Sequence, residues 1–467
     1  MSKLYVFGIG GTGARVLRSL TMLLASGVKC NMDIVPILID PDSSADSLTK
    51  AVAAFDAYTK VRANLQYNGN GSHFFGTAID EKVHRYFIPL KDTDNKTFSQ
   101  YISLPTMTPT NQALMRMLFS DDNLASDMVV GFKGNPNMGS VVLNQFVPSD
   151  QFKQFANGFQ QGDSIFIISS IFGGTGASGF PLLLKTLRSN DSVPNFNLLN
   201  NAPIGGITVL PYFSVSVDQN SSIDSSDFID KTKAALAYYD TNISGTNSID
   251  RLYYIADTVT PTYDNHEGGQ AQDNSAHIVE LFSALAVIDF AGANVQHTNA
   301  GSTQCLEYGI QNEENTVTLP DLGDVSKGLL SAPLTQFLLF RKYLKNARKW
   351  QYRYQPWAID AGFDNSFFSS QFEKDVENIL SLYEGWLNEL DSNIRAFSPF
   401  DLNREREHHI FNMVKGFNPQ RTKFNNYALF DDALNSQHRP SGISKDQWFI
   451  DLFFGATQKL VKRKFNF

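Results

Sequence analysis

Two stretches of the chain combine a buried strand, a glycine-rich turn and a helix. The first, YVFGIGGTGARVL (5–17), carries Gly8, Gly10 and Gly13 in the pattern G-x-G-x-x-G, and DSIFIISSIFGGTGASGFPLLLKTLR (163–188) repeats the arrangement. Glycines let backbone N–H groups approach an anion closely, and the helix N-terminus that follows adds partial positive charge. A glycine turn at the carboxyl end of a strand is where α/β sheets bind ligands. The two stretches therefore predict an α/β fold with a mainly parallel sheet and a phosphate site.

The remaining hydrophobic patterns extend this fold. Residues 3–7 and 34–39 are predicted strands around a helix at 14–26, and we expect further strands at 128–131, 205–213 and 251–257. Predicted helices lie near 110–120, 224–239, 273–289, 329–349, 369–394 and 446–463. We therefore expect a nucleotide-binding domain at 1–290 with a core helix at about 273–290, a polar loop or boundary region at 291–328, and a mainly helical C-terminal domain at 329–467.

Composition excludes several classes of protein. The chain has 467 residues, a net charge of −8 and a pI near 5.5, so we expect no nucleic-acid partner. Two cysteines cannot form a disulfide framework, and they suit a reducing compartment. No uninterrupted apolar run of about 18 residues occurs, and we find no signal peptide. These features predict a cytoplasmic protein without a membrane span.

Taken alone, the first glycine loop fits a dinucleotide-binding fingerprint. In that interpretation Asp40, at the end of the second predicted strand, binds a ribose hydroxyl, and the chain is an NAD-dependent enzyme. A purely structural alternative is that the glycines only make a tight turn. Neither hypothesis explains the second loop.

Four segments together resemble the tubulin and FtsZ superfamily. SIFGGTGASG (170–179) is similar to the glycine-rich tubulin signature, and GIGGTGAR (8–15) is similar to the first phosphate loop of FtsZ. LIDPDSS (38–44) resembles the second loop, and GNPNMG (134–139) resembles the third, which approaches the γ-phosphate in FtsZ. Because the four occur in family order, residues 1–290 resemble a divergent prokaryotic tubulin-like protein, with a Rossmann-type GTPase domain and a long core helix.

The resemblance implies GTP or GDP with Mg²⁺ as cofactors. It places a nucleotide on Gly10, Gly11, Thr12, Gly13, Arg15, Asp42, Gly134, Asn135, Gly139, Gly173, Gly174, Thr175 and Gly176, with Asp257, Asn274 and His277 at the base. Arg15 stands where FtsZ has Asn, so its guanidinium contacts phosphate or pairs with a carboxylate. Asp257 replaces a base-binding Asn and can accept from the guanine N1–H and N2–H₂ groups. For His277, a packing or capping role is an equal alternative.

The family's acidic hydrolysis loop is not recognisable after the core helix. Asp289, Asp321 and Asp324 are the nearest candidates for catalysis, and each also fits a solvated acid. The resemblance implies head-to-tail filaments of this chain under nucleotide control, with GTP hydrolysis between subunits left open. A non-hydrolysing, nucleotide-bound scaffold is the alternative, and the C-terminal region offers a surface for another protein. Adjacent His408 and His409 point to different helix faces, so we expect no protein-held metal site.

Overall fold

The fold is taken from a computed structural model of the chain. It describes residues 2–42, 44–67, 71–81, 86–88, 90–93, 95–128, 132, 134–216, 226–257, 262–263, 275–298, 301–309, 314–346, 354–403, 409–420 and 427–467. Asn274, His408 and most of the predicted strand at 128–131 lie outside these ranges.

A seven-stranded parallel sheet forms the centre of the molecule. The strands within the described residues are β1 (Lys3–Ile9), β2 (Asp33–Ile39), β3 (Phe87–Ile88), β4 (Ser164–Ser170), β5 (Ile204–Val209), β6 (Ser214–Val215), β7 (Arg251–Ile255), β8 (Thr262–Tyr263), β9 (Gln304–Tyr308), β10 (Thr316–Val317) and β11 (Ala396–Phe397). Outside the large sheet, β6 pairs with β8 and β10 pairs with β11. The order in the large sheet is β3-β2-β1-β4-β5-β7-β9, and every adjacent pair is parallel. The predicted parallel α/β fold is confirmed.

Strand order changes direction between β1 and β4. From β1 the chain builds the sheet outward through β2 and β3, then returns to the other side of β1 with β4 and builds outward again. Such a reversal opens a crevice at the carboxyl ends of the two central strands, which is the usual ligand site of a doubly wound sheet. Both glycine loops follow these two strands.

Sixteen α-helices are assigned within the described ranges. They are α1 (Gly10–Ala25), α2 (Asp46–Arg62), α3 (Phe98–Tyr101), α4 (Pro109–Leu118), α5 (Asp121–Ala125), α6 (Pro136–Leu143), α7 (Asp150–Gly158), α8 (Gly174–Ser189), α9 (Phe196–Asn200), α10 (Ser226–Asn242), α11 (Ile278–Gly292), α12 (Asp324–Asn346), α13 (Pro356–Ile359), α14 (Gln371–Ser392), α15 (Tyr427–Asn435) and α16 (Lys445–Phe465). None of the described helices is both long and apolar enough to cross a membrane.

The core helix α11 is buried on all sides. Thirteen of its fifteen residues are buried, because the run IVELFSALAVIDFAG is apolar around the whole helix. It begins at Ile278 rather than near Asp273, since His277 caps its N-terminus. A Cβ on Gly205, near the start of β5, would lie 2.6 Å from Phe290. The C-terminal end of α11 therefore lies at the amino edge of the sheet, and His277 lies at the carboxyl edge.

The region predicted as polar loop contains an unexpected strand. Gln304–Tyr308 forms β9, the outer strand of the large sheet, with most of its side chains exposed. The apolar pattern that reveals buried strands is therefore absent from its sequence. Because β9 is an edge strand with largely exposed side chains, the hydrophobic pattern of the sequence could not locate it.

The C-terminal helices pack directly on α1 and α2. The indole Nε1 of Trp386 on α14 donates to Ser19 on α1 at 3.1 Å, and Arg18 forms an ion pair with Glu389 at 2.7 Å. Phe74 stacks with Phe340 of α12. One continuous hydrophobic core joins both parts of the chain. The C-terminal region therefore supports the helix layer that carries the first glycine loop.

Candidate functional site

The two glycine loops lie side by side at the crevice. Helix α1 begins at Gly10 directly after β1, and α8 begins at Gly174 shortly after its neighbour β4. Gly10 has φ +71°, and a Cβ there would lie 3.4 Å from the Cβ of Thr175. The loops thus touch, and the N-termini of α1 and α8 converge on one place.

Two glycines of the first unit serve close packing between strand and helix. A Cβ on Gly13 would lie 2.4 Å from the carbonyl carbon of Gly8, which is closer than any real contact. A side chain at either position would push α1 away from β1. Gly176 has the same role in the second unit, because its Cβ would lie 2.7 Å from the carbonyl oxygen of Ser170.

The third predicted loop rests on the second glycine loop. A Cβ on Gly174 would lie 3.1 Å from the backbone nitrogen of Asn135 and 3.2 Å from that of Gly134. The Asn135 side chain caps α6 by accepting from the N–H groups of Asn137 and Met138. The backbone N–H groups of Gly134 and Asn135 are therefore held beside the start of α8. The N-terminus of α6 thus lies next to those of α1 and α8.

Two further glycines and a lysine contribute to the contact between the third loop and the second glycine loop. Gly134 has φ +74°, which favours glycine there, and a Cβ on Gly139 would lie 3.0 Å from the carbonyl oxygen of Gly174. Lys231 on α10 donates from Nζ to the carbonyl oxygen of Gly134 at 3.2 Å. Sequence analysis missed Lys231, since it belongs to no motif. It places a cation at the loop where the resemblance expects a γ-phosphate.

The carboxylates after β2 organise their own loop. Asp42 Oδ1 accepts from the backbone N–H and the hydroxyl of Ser44, at 3.1 and 2.8 Å. Asp40 Oδ1 accepts from the backbone N–H of Asp42 at 3.0 Å, and burial raises the pKa of Asp40 to about 7. Asp40 is only 7% exposed. Its carboxyl group holds the turn, rather than standing open as a ribose acceptor would.

Arg15 joins four elements around the crevice. Its guanidinium forms a buried ion pair with Glu280 on α11 and donates to the hydroxyls of Thr12, Ser47 and Tyr212. Of the two roles expected for Arg15, the structure has the carboxylate pair. Burial alone would lower the pKa of Arg15, but the facing Glu280 carboxylate raises it above its ordinary value. Arg15 is therefore charged.

Glu280 was missed by sequence analysis and is fully buried. Its second carboxylate oxygen accepts from the backbone N–H of His277 at 3.0 Å, so it also closes the first turn of α11. A detectable signal exists in hindsight, because Glu280 is the one acid in the first turn of an otherwise apolar helix. A buried acid in such a run requires a cation, and Arg15 supplies it.

His277 begins α11 and is 2% exposed. Its Nδ1 accepts from the backbone N–H of Val279 at 3.1 Å, and its ring packs against Tyr212 with centroids 4.6 Å apart. Its Nε2 has no hydrogen-bond partner among the described residues. Burial, together with the charges of Arg15 and Arg395, lowers the pKa of His277 to about 3. His277 thus caps α11 through Nδ1, while its Nε2 makes no hydrogen bond to the described residues.

Asp257 is held by an arginine from the C-terminal region. Arg395 Nε donates to Asp257 at 3.0 Å, and its guanidinium also donates to the carbonyl oxygen of Glu314. Asp257 does lie at the carboxyl end of β7, where the base was expected. Sequence analysis missed Arg395, which lies 138 residues further along the chain.

The three acids suggested for hydrolysis lie on three different elements. Asp289, near the C-terminal end of α11, accepts from Tyr253 at 2.7 Å and from Arg251 at 3.2 Å, at the amino edge of β7. Asp321 accepts from the N–H and hydroxyl of Thr318, so it caps a turn just after β10. Asp324 is 98% exposed in its side chain and pairs with Lys327. Asp289 therefore lies at the edge opposite the glycine loops.

The described part of the chain has no cluster of three His, Cys, Asp or Glu side chains suited to a metal ion. The arrangement is instead suited to an anion, because three helix N-termini with glycine turns meet beside Lys231. Together, the fold and site define a doubly wound α/β protein with a candidate anion site at its topological switch point.

Comparison with known proteins identifies similar solved structures. No protein-family model and no curated protein matches the chain. CetZ2 from Haloferax volcanii in a GTPγS-bound protofilament has 13% identity and a TM-score of 0.28, over 63% of this chain and 60% of that one. TubZ from Bacillus thuringiensis serovar israelensis in a GTPγS-form protofilament has 13% identity and a TM-score of 0.24, over 55% and 46%.

A third similar structure is CetZ from Methanosaeta thermophila, with 14% identity and a TM-score of 0.26, over 71% of this chain and 60% of that one. CetZ and TubZ are tubulin and FtsZ family proteins, the family that the four loops resemble. The chain spans between 46% and 60% of the length of these solved chains.

Proposed function

We propose that the chain binds a guanine nucleoside triphosphate at the carboxyl edge of its sheet and assembles head to tail under its control. The observation that carries this proposal is the contact of three loops at the switch point: Gly10 against Thr175, and Gly174 against Gly134 and Asn135. A phosphate chain needs several backbone N–H groups that converge, and this contact supports such a cradle. The proposed nucleotide-binding domain is residues 1–290, with β9 completing its sheet.

The same geometry fits a triphosphate better than a dinucleotide. A dinucleotide uses one glycine loop and an acid after β2, but Asp40 is engaged with Asp42 and a second glycine loop adjoins the first. Lys231 beside Gly134 adds a positive charge for a terminal phosphate. Mg²⁺ is commonly bound by phosphates, one or two carboxylates and water. Asp42, which follows β2 at the same carboxyl edge as the first glycine loop, is the carboxylate that would take part. When bound, the ion would neutralise phosphate charge.

Titration of purified protein with fluorescent GTP, GDP and NADH tests this proposal. The informative variant is Gly174→Ala, because its methyl group would displace the backbone of loop three at Gly134 and Asn135. The matched control is Gly385→Ala on α14, where a Cβ meets no heavy atom within 4 Å. We expect GTP binding that Gly174→Ala weakens at least 10-fold and Gly385→Ala leaves unchanged. Equal GTP affinity in both variants, or NADH binding alone, contradicts the proposal.

Head-to-tail assembly is supported by the opposite placement of the site and Asp289. The glycine loops lie at the carboxyl edge, and Asp289 is 45% exposed at the amino edge. In a longitudinal stack, Asp289 of one copy faces the nucleotide of the next. Light scattering with GTP against GDP measures assembly, and phosphate release at several protein concentrations measures turnover. Scattering that is unaffected by the nucleotide contradicts controlled assembly.

A second candidate function is a nucleotide-bound scaffold without hydrolysis. It is favoured by the engagement of Asp289, whose carboxylate accepts from both Tyr253 and Arg251 instead of being available to orient a water molecule. Asp289→Asn distinguishes the two functions. Loss of phosphate release with assembly retained supports a GTPase, whereas assembly without phosphate release in the parent protein supports the scaffold.

A further inference from the structure

We propose that strand β9 pairs in antiparallel orientation with β9 of a second copy of the chain, so that the two large sheets join side by side in a lateral dimer. This contact lies apart from the glycine loops and from head-to-tail stacking, so it goes beyond the proposed function. It follows from an open sheet edge, from the direction of the free main-chain groups at that edge, and from a sequence that is complementary to itself.

The outer strand β9 presents an edge that lacks the usual protection against pairing. It follows β7 without a bulge, from Gln304 opposite Arg251 to Tyr308 opposite Ile255. Proteins protect sheet edges with lysine, proline, a bulge or a very short strand. At the other end of the sheet the outer strand β3 is short, since it spans only Phe87–Ile88. The sequence of β9, QCLEY, has neither lysine nor proline, so none of these four devices protects it.

The free main-chain groups of this edge belong to Cys305 and Glu307. The N–H of Gln304 donates to the carbonyl oxygen of Asp250 at 2.9 Å, so Gln304 directs its main-chain groups towards β7. This direction alternates along a strand, and Leu306 therefore also faces β7. Cys305 and Glu307 direct their N–H and C=O groups outwards. Both residues are exposed, and no residue in the described ranges bonds to these groups.

Symmetry decides the direction of pairing between two copies. A two-fold axis is the commonest relation in a homodimer, and it brings the same residues of both copies together. In a parallel pair each bonding residue lies opposite a residue that does not bond across the pair, which a two-fold axis along the strands does not allow. In an antiparallel pair two bonding residues lie opposite each other and exchange both hydrogen bonds. The two-fold dimer is therefore antiparallel.

Side-chain chemistry selects the register. With Leu306 opposite Leu306 of the second copy, Cys305 lies opposite Glu307 in both halves of the dimer, and each of these pairs exchanges both main-chain hydrogen bonds. The partly buried Leu306 side chains meet at the axis, where opposite Cβ atoms come closest. Gln304 then lies opposite Tyr308. A register centred on Glu307 would instead place two carboxylates opposite each other, which opposes pairing.

Charge changes at position 305 test the pairing with little effect on the fold, because Cys305 is exposed. In Cys305→Glu a carboxylate lies opposite Glu307 in both halves of the dimer, so we expect the dimer dissociation constant to rise about 10-fold. Cys305→Lys places an ammonium there and should lower it about 10-fold, while the matched control Cys305→Ser leaves it unchanged. Sedimentation equilibrium of the full chain without nucleotide, over a series of protein concentrations, measures the constant.

Disulfide trapping tests the register in the Cys305→Ser background, where the remaining Cys30 is buried. Opposite residues in a non-hydrogen-bonded pair have Cα atoms about 4.5 Å apart, within disulfide range, so Leu306→Cys should give a covalent dimer on mild oxidation. Gln304→Cys and Tyr308→Cys should each stay monomeric alone, since identical positions then lie about 14 Å apart. A mixture of these two variants should give the mixed disulfide.

Three results would overturn the inference. They are a parent protein that stays monomeric at every concentration, equal effects of glutamate and lysine at position 305, and a Leu306→Cys variant that oxidises to dimer no more than Gln304→Cys alone. Failure of the proposed function is distinguishable from these results. If the GTP titration shows no binding while the Leu306→Cys dimer forms, the nucleotide site is refuted and the lateral dimer stands.

Discussion

Removing the charge of Glu280 tests how the crevice is held together. Glu280 is fully buried and faces Arg15, which is 8% exposed. In Glu280→Gln the amide keeps the shape, but a single oxygen replaces the two that accept from Arg15 and from the His277 backbone N–H. One of these donors then faces an NH₂ group, and Arg15 loses its counter-charge.

The expected loss is about 3 kcal/mol of unfolding free energy. Breaking a buried pair from one side costs about 3–5 kcal/mol, because a charge is left without compensation. The lower end applies here, since the hydroxyls of Thr12, Ser47 and Tyr212 still accept from Arg15. Replacing both partners, as in Arg15→Met with Glu280→Leu, should recover stability to within about 1 kcal/mol, because no buried charge remains.

Urea unfolding followed by tryptophan fluorescence measures these changes. The matched control is Asp121→Asn, which breaks the Arg116–Asp121 pair on the surface, where the side chains are 58% and 90% exposed. Such exposed pairs are worth less than about 1 kcal/mol. The unfolding midpoint at an unchanged slope gives the comparison. A Glu280→Gln effect no larger than that of Asp121→Asn, or a double variant as unstable as Glu280→Gln, would refute the reasoning.

Three further predictions concern individual positions. Gly13→Ala should destabilise the chain by about 3 kcal/mol in the same urea-unfolding assay, because its Cβ meets the carbonyl carbon of Gly8. Gly328→Ala, where a Cβ meets open space, should cost nothing, and equal effects of the two variants contradict this prediction. Lys231→Met should weaken GTP binding about 10-fold and GDP binding less, because Lys231 lies beside Gly134. The control is Lys233→Met, since the Lys233 side chain is 72% exposed, and it should leave both affinities unchanged. Equal effects of the two variants contradict the role of Lys231. Burial raises the pKa of Asp40 to about 7, so the stability that Asp40 contributes is fully present below about pH 4 and is lost as the pH rises towards 7. Asp40→Asn should therefore raise the free energy of unfolding by about 2 kcal/mol at pH 8 and by much less at pH 5. A gain in stability that does not change with pH contradicts this prediction.

The parallel sheet and its two glycine units could be predicted from sequence because both rest on local pattern. Each unit is a buried strand, a turn that needs glycine and a helix, all within about 25 residues. Edge strand β9 escaped notice for the converse reason, since its side chains are largely exposed and impose no apolar pattern. The core helix was predicted from its apolar sequence, but the pattern could not show that it begins at Ile278, because that start is set by the His277 cap.

The sequence could predict those parts of the site whose residues are close together along the chain. Arg15 was recognised as a departure from the family pattern, but its partner Glu280 lies 265 residues away, so sequence left two roles open. Arg395 binding to Asp257 depends on where α14 ends against the sheet, which no local motif encodes. The predicted nucleotide contacts of the glycine loops stay predictions, with geometry that supports them, and Asn274 lies outside the described residues.

The nucleotide carried by the purified protein tests the central claim most directly. The chain is purified rapidly with Mg²⁺, denatured, and the released small molecules are separated and quantified against protein. The proposed function predicts about one guanine nucleotide per chain, retained in Gly385→Ala and lost in Gly174→Ala. No bound nucleotide even after incubation with GTP, or a stoichiometric nicotinamide dinucleotide, would contradict a triphosphate site at the switch point.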